Sequence, residues 1–263
     1  MTDFNWPQSL LLVGFKNYLD QRQTLAWLDQ AMRVLDSHGE RAGEIELVAA
    51  PIFTVLAKMA EIAQGRPIRW GAQNLSQHDY GPFTGEIGGP ALAQVGCRYV
   101  QIGHSERRRL FQETDQIVAD KVAAAFRNGL IPFICVGEAE RSDAKTASTY
   151  CIAETFSALA EVPESQNPLV VLYEPVWAIG AEKPAEASHV RQVCRAIKEA
   201  LAFRNPTQPS RVIYGGTAGP GLLSELGDDV DGLGLGRRAH DPLAFARVLE
   251  EALRWNQSRL KPR

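Results

Sequence analysis

A carboxylate, an imidazole and an ammonium group, Glu174, His104 and Lys16, each stand where a strand-like run stops. Glu174 closes the apolar run 170–173, whose β-branched residues read as a strand buried on both faces. Pro175 ends that strand, since proline has no N–H for a ladder. The loop after it begins apolar at Trp177 and Ile179 and turns small and polar through Gly180, Glu182 and Lys183. A carboxylate on a rigid strand end beside a loop with apolar anchors has the layout of a base under a lid. The alternative is a surface glutamate before an ordinary turn. His104 has a bland alternative as well, a hydrogen-bonded structural histidine at a strand end. The polar run after it reads as the first turn of a helix, where backbone N–H groups disfavour an imidazolium and leave a neutral ring that donates. Lys16 follows the first strand and faces the same rim, or is simply an exposed cation. Glu106 is either a helix-start charge or the partner that holds Lys16, and the second is the preferred reading.

The elements that must position these groups alternate from end to end. Strand candidates are residues 10–15, 45–50, 68–72, 98–102, 131–136, 169–173, 211–214 and 230–235. Helical patterns lie near 24–38, 54–64, 90–95, 115–128, 144–159, 187–203, 221–226 and 242–255. In 24–38, Leu25, Leu28, Met32 and Leu35 recur on one face, and Gly129 follows 115–128 as a C-cap. Eight strands alternating with helices predict a parallel sheet. A single domain over 1–263, close to the ~250 residues typical of an eight-fold β/α barrel, predicts closure. An open doubly wound sheet would carry a glycine-rich fingerprint after its first strand, and Gly14-Phe15-Lys16-Asn17 is not one.

In such a barrel the chemistry gathers at the C-terminal strand ends. The seventh strand leads into Gly215-Gly216-Thr217 and the eighth into Gly234-Leu235-Gly236-Arg237. Successive N–H groups without a Cβ in the way can approach an anion closely, and a barrel's usual phosphate site lies after these two strands. The glycines could instead merely permit tight turns. Phosphate binding is favoured because glycine clusters on both strands and hardly elsewhere at strand ends.

Composition excludes other classes. A formal net charge of −3 gives no reason to expect nucleic acid or a membrane surface as partner. No apolar run approaches the ~18 residues of a span, and Asp3 before the 10–13 patch argues against a signal peptide. Cys97, Cys135, Cys151 and Cys194 lack metal-ligand spacing and read as reduced, buried thiols of a cytoplasmic protein.

Several motifs together resemble the triosephosphate isomerase family over nearly the whole chain. They are Gly103-His104-Ser105-Glu106-Arg107-Arg108 with 111–115, Tyr173-Glu174-Pro175-Val176-Trp177-Ala178-Ile179-Gly180, Ala72-Gln73-Asn74, 83–87, 134–138 and Tyr214-Gly215-Gly216. The resemblance implies a (β/α)8 barrel and an aldose–ketose isomerisation of a small sugar phosphate, with no cofactor and no metal. It also implies a homodimer joined through the long loop 73–87, with Thr84 near the second subunit's Lys16 region. By motif match Glu174 is the base, His104 the electrophile and Lys16 the cation, while Gly180, Thr217 and the Gly236 turn hold phosphate. The departures fall around the substrate. Gly14 stands where the family has asparagine, Arg237 where it has glycine, Thr217 where it has serine, and Glu182 where glycine is usual. A small residue at 14 with Gly-Arg on the eighth strand resembles the branch that isomerises erythrulose phosphates. A pocket enlarged at Gly14 favours a four-carbon ketose phosphate over a triose phosphate. The remaining alternative is a barrel that only binds a phosphorylated metabolite.

Overall fold

The computed structural model describes residues 6–162 and 167–260; Asp3 and the rest of the extreme N-terminus lie outside them. Eight strands form a closed parallel barrel in sequence order: β1 (Ser9–Gly14), β2 (Ile45–Ala50), β3 (Arg69–Ala72), β4 (Tyr99–Ile102), β5 (Ile131–Val136), β6 (Leu169–Tyr173), β7 (Ser210–Tyr214) and β8 (Gly232–Leu235). Around it lie α1 (Gln21–His38), α2 (Leu56–Ala63), α3 (Gly89–Gln94), α4 (Ser105–Phe111), α5 (Asp115–Arg127), α6 (Ala144–Ala158), α7 (Ala187–Arg204), α8 (Leu222–Leu226) and α9 (Pro242–Leu260). No helix among the described residues is long and apolar enough to cross a membrane.

The period of two along each strand separates two cores. Leu10, Leu12, Val48, Ala50, Phe133 and Leu172 belong to a cluster inside the barrel. Their neighbours Leu11, Val13, Ala49, Ile134, Val171 and Tyr173 pack outward beneath the helices. Continuing the inward set past the strand ends gives Gly14 on β1 and Glu174 after β6, so the alternation itself aims both positions into the mouth. β8 contributes glycine at its inward positions. A Cβ at Gly232 would sit 1.7 Å from the Leu10 carbonyl oxygen, and one at Gly234 would sit 2.6 Å from Leu172 Cδ1. The barrel closes against β1, with Leu12 opposite Gly234, because that space is empty.

The strand positions agree with the sequence reading, and the boundaries move for local reasons. α1 begins at Gln21 rather than 24, because Asp20 caps it and forms a capping box with Gln23. α2 is preceded by a 3-10 turn at Phe53–Val55. α8 cannot include Gly221, whose φ of 93° is outside the helical region. β8 is shorter than 230–235: the Val230 N–H closes a turn on Gly227. One expectation is corrected. Glycine is not confined to the ends of the last two strands, since Gly14 ends β1, Gly103 follows β4 with φ 73°, and Gly137 follows β5. At two of them the reasons are local: Gly103 has a positive φ, and a Cβ at Gly137 would lie 2.0 Å from the Glu174 carbonyl oxygen.

Candidate active site

The C-terminal mouth holds a cavity of about 780 Å³ floored by Leu12, Gln101, Leu172 and Gly234. Lys16, His104 and Glu174 all line it, as do Gly14, Gly180, Thr217, Gly236 and Arg237. The structure therefore brings these residues, with Glu106, to one rim.

Glu174 is held by its backbone, whose N–H donates to Val136 at 2.8 Å. Its carboxylate rests against Gly215, where a Cβ would come within 2.6 Å of Oε1. Oε2 makes no hydrogen bond, although His104 Nε2 lies 3.4 Å away. An orphaned carboxylate oxygen facing a cavity is an acceptor without an assigned partner. Burial pushes the Glu174 carboxyl above the ordinary range; His104 and Lys16 pull it back only in part, and Glu106 adds to the rise.

His104 caps α4. Its Nδ1 accepts the Glu106 N–H at 3.1 Å, so a single ring proton belongs on Nε2, which points toward Glu174. That arrangement makes the neutral ring a donor into the cavity. Lys16 adopts φ 46°, a left-handed conformation that costs a non-glycine residue about 1–2 kcal/mol. Two contacts fix it there: Gln73 Nε2 donates to the Lys16 carbonyl at 2.9 Å, and Lys16 Nζ donates to Glu106 Oε1 at 2.6 Å. Partial burial raises the Glu106 carboxyl, but the Lys16 hydrogen bond and the neighbouring positive charge outweigh it and hold it below its usual value.

The loop over Glu174 is tied at both ends. Val176 N–H and Trp177 Nε1–H donate to the carbonyl and carboxylate of buried Glu138 at 3.0 and 2.8 Å, and Tyr173 adds its hydroxyl at 3.2 Å. At the far end Ala185 N–H donates to Tyr214 at 3.1 Å. Between them Arg238 donates to the Glu182 carbonyl at 2.6 Å. Thr217, with φ 54°, donates its hydroxyl to the Ala178 carbonyl at 2.7 Å. Its one hydroxyl proton is thus committed to the lid, and only its backbone N–H is left for an anion.

Supporting residues lie outside the sequence reading. Glu154 on α6 accepts the Gly137 N–H at 2.9 Å and sits 3.3 Å from Arg108, pinning the turn that abuts Glu174. Burial raises the Glu154 carboxyl in spite of Arg108 and the Gly137 N–H. Behind α4, buried Lys121 bonds Glu113 at 2.5 Å and Asn74 at 2.8 Å, and Glu113 also holds Arg107. Burial lowers the Lys121 ammonium against the pull of Glu113. Arg107, Arg108 and Glu113 were visible as motif letters; Glu154 and Lys121 sit in unremarkable helical sequence and gave no signal. Among the described residues no cluster of three or more His, Cys, Asp or Glu could hold a metal ion.

Comparison with known proteins identifies the family. The family model described as triosephosphate isomerase matches residues 9–252. An L-erythrulose-1-phosphate isomerase of Pectobacterium atrosepticum is 45% identical, over 91% of this chain and 94% of its own. A triosephosphate isomerase of Picosynechococcus sp. is 36% identical, over 92% and 98%. A crystal structure of triosephosphate isomerase from Bartonella henselae superposes with a TM-score of 0.77 at 26% identity, covering 92% of this chain and 98% of that one. The chain belongs to the triosephosphate isomerase family and is an aldose–ketose isomerase by descent.

Proposed function

We propose that this member of the triosephosphate isomerase family isomerises a four-carbon ketose phosphate of the erythrulose phosphate type, by proton transfer through an enediolate. Glu174 removes a proton from the carbon next to the carbonyl and returns it one carbon along. His104 donates its Nε2–H to the oxygens on which charge develops and passes the hydroxyl proton from one oxygen to the other, and Lys16 offsets the charge. Backbone amides at Gly180, Thr217 and Gly236, with the Arg237 guanidinium, receive the phosphate. Phosphate binding energy is spent on holding the lid over Glu174, and the closed lid excludes water from an intermediate that would otherwise lose its phosphate. The observation that carries the chemistry is the unpartnered Glu174 Oε2 beside the donor edge of His104.

The four-carbon substrate rests on Gly14. A Cβ there would meet nothing closer than the Leu235 carbonyl oxygen at 3.8 Å, so the position is open rather than sterically forced to be glycine. The space an asparagine side chain could occupy is free for one more hydroxymethyl group. The similarity to an erythrulose-phosphate isomerase supports the same choice. The second reading is an ordinary triosephosphate isomerase, supported by the other relatives. The test compares kcat/KM for glyceraldehyde 3-phosphate, dihydroxyacetone phosphate and the erythrulose phosphates in the parent and in Gly14→Asn. The parent is expected to prefer the tetrose, and asparagine to cost tetrose turnover more than triose turnover. A parent that converts glyceraldehyde 3-phosphate near the diffusional ceiling of ~10⁸–10⁹ M⁻¹s⁻¹ refutes the four-carbon assignment. The same reading makes the enzyme a cytoplasmic homodimer, with exposed Tyr80 and Phe83 on loop 73–87 as the contact.

A further inference from the structure

Arg237 is exposed, at the start of a one-turn 3-10 helix (Arg237–His240). A free arginine there would have to surrender its rotamer freedom each time an anion bound. The side chain is not left free. Its Cζ lies 5.1 Å from the centroid of the Tyr18 ring, inside the range of a cation–π contact. Its Nη2 faces the lid, 3.9 Å from where a Cβ on Gly180 would stand. The guanidinium therefore spans the gap between the loop after β1 and the lid glycine.

Tyr18 is half exposed, and its own position needs a cause. The ring leans on His240, with centroids 6.2 Å apart at 58°. His240 in turn stacks on Phe15 at 5.2 Å and 7°, and Phe15 meets Trp27 edge-on at 4.9 Å. Phe15 and Trp27 are core residues, 1% and 3% exposed. A row of rings thus runs from the packed core out to Arg237. His240 is further fixed by Nε2, 3.1 Å from the Gly14 carbonyl oxygen. The carbonyl can only accept, so Nε2 carries the proton and the ring donates. The same histidine that holds the open end of β1 at Gly14 also sets the ring on which Arg237 lies.

We propose that Tyr18 and His240 are positioning residues for Arg237, fixing its guanidinium in register with the Gly14 space so that the site takes a sugar phosphate longer than a triose. The inference rests on the reading of Arg237 as a phosphate contact. Neither residue touches the reacting carbons, so both act on binding rather than on the proton transfer. His240→Leu keeps a side chain of similar bulk but loses the Gly14 bond and the ring against which Tyr18 leans. Tyr18→Phe keeps the ring; Tyr18→Leu removes it.

The test is inhibition by inorganic phosphate, measured with KM and kcat for the preferred sugar phosphate, in Tyr18→Phe, Tyr18→Leu, His240→Leu, Arg237→Gln and the Tyr18→Leu/Arg237→Gln double variant. Tyr18→Leu is expected to weaken phosphate inhibition about three- to five-fold, the equivalent of an exposed cation–π contact. KM should rise in step with kcat nearly unchanged. Tyr18→Phe should restore parental values, and His240→Leu should follow Tyr18→Leu. In the Arg237→Gln background Tyr18→Leu should have no further effect, because the interaction it removes is already gone. Thermal unfolding of each variant shows whether it is folded; Tyr18 is exposed enough for leucine to be tolerated. If Tyr18→Leu weakens phosphate equally with and without Arg237, or if phenylalanine fails to rescue, the brace is refuted while the phosphate contact of Arg237 stands. If Arg237→Gln leaves phosphate inhibition unchanged, Arg237 is not a phosphate contact, and both readings of it fall.

Discussion

Glu174 works by being badly accommodated. Its Oε2 is shielded from water and lacks a hydrogen bond, and burial raises the carboxyl above its ordinary range. Two consequences have opposite signs. The base acts only when deprotonated, so kcat/KM should rise with pH through a value above the ordinary glutamate figure of ~4.3. Stability runs the other way. A carboxyl raised in the folded state contributes stability below the unfolded value of ~4.3, and loses it as pH climbs through the folded value. At pH 7 the ionised group is a burden. Glu174→Gln is therefore expected to be inactive yet more stable at pH 7, by on the order of 1 kcal/mol, with the difference gone near pH 4. Urea unfolding at the two pH values measures this, and a glutamine variant less stable at both would show that the carboxylate is well satisfied. Glu174→Asp withdraws the base by about 1 Å and should lower kcat ~100-fold with phosphate inhibition intact. A near-normal kcat in that variant would remove Glu174 from the base role.

At the scale of elements, loop 73–87 and α4 are linked by buried charge. Lys121 is 4% exposed and satisfied by Glu113 and Asn74, the latter at the root of the loop. Removing one partner leaves the other ion buried without compensation, so Glu113→Gln should cost about 3–5 kcal/mol in denaturant unfolding. A cost under 1 kcal/mol would mean that water reaches the cluster. The outer part of the loop points elsewhere. Tyr80 is 82% exposed, and Phe83, which stacks on His78 at 3.8 Å, is exposed as well. Leu110 and Phe111 at the end of α4 are also exposed. Sedimentation at micromolar concentration is expected to give a homodimer joined through this loop, and monomer alone would remove that assignment.

Over the whole molecule, the strand order and the rim were legible because both follow from simple periods. Inward parity carries Val170 and Leu172 on to Glu174, and Leu10 and Leu12 on to Gly14. The glycine signal was less specific than its clustering implied, since Gly103 and Gly137 serve close packing rather than an anion. What stayed hidden are groups brought together only by closure. His240 meets Gly14 across 226 residues of chain, and Glu154 reaches Gly137 from the face of α6; neither pairing leaves a pattern in local sequence. The sequence did mark Gly14 and Arg237 as departures, and the fold places both on the same cavity.

The proposed chemistry predicts that a proton passes through Glu174 and is open to exchange with solvent. The direct measurement is isomerisation in D2O with the preferred sugar phosphate, followed by NMR of the product. Deuterium should appear at the carbon that receives the proton, and Glu174→Gln should abolish both turnover and label. Turnover at the parental rate in Glu174→Gln, with or without deuterium in the product, would contradict Glu174 as the proton shuttle.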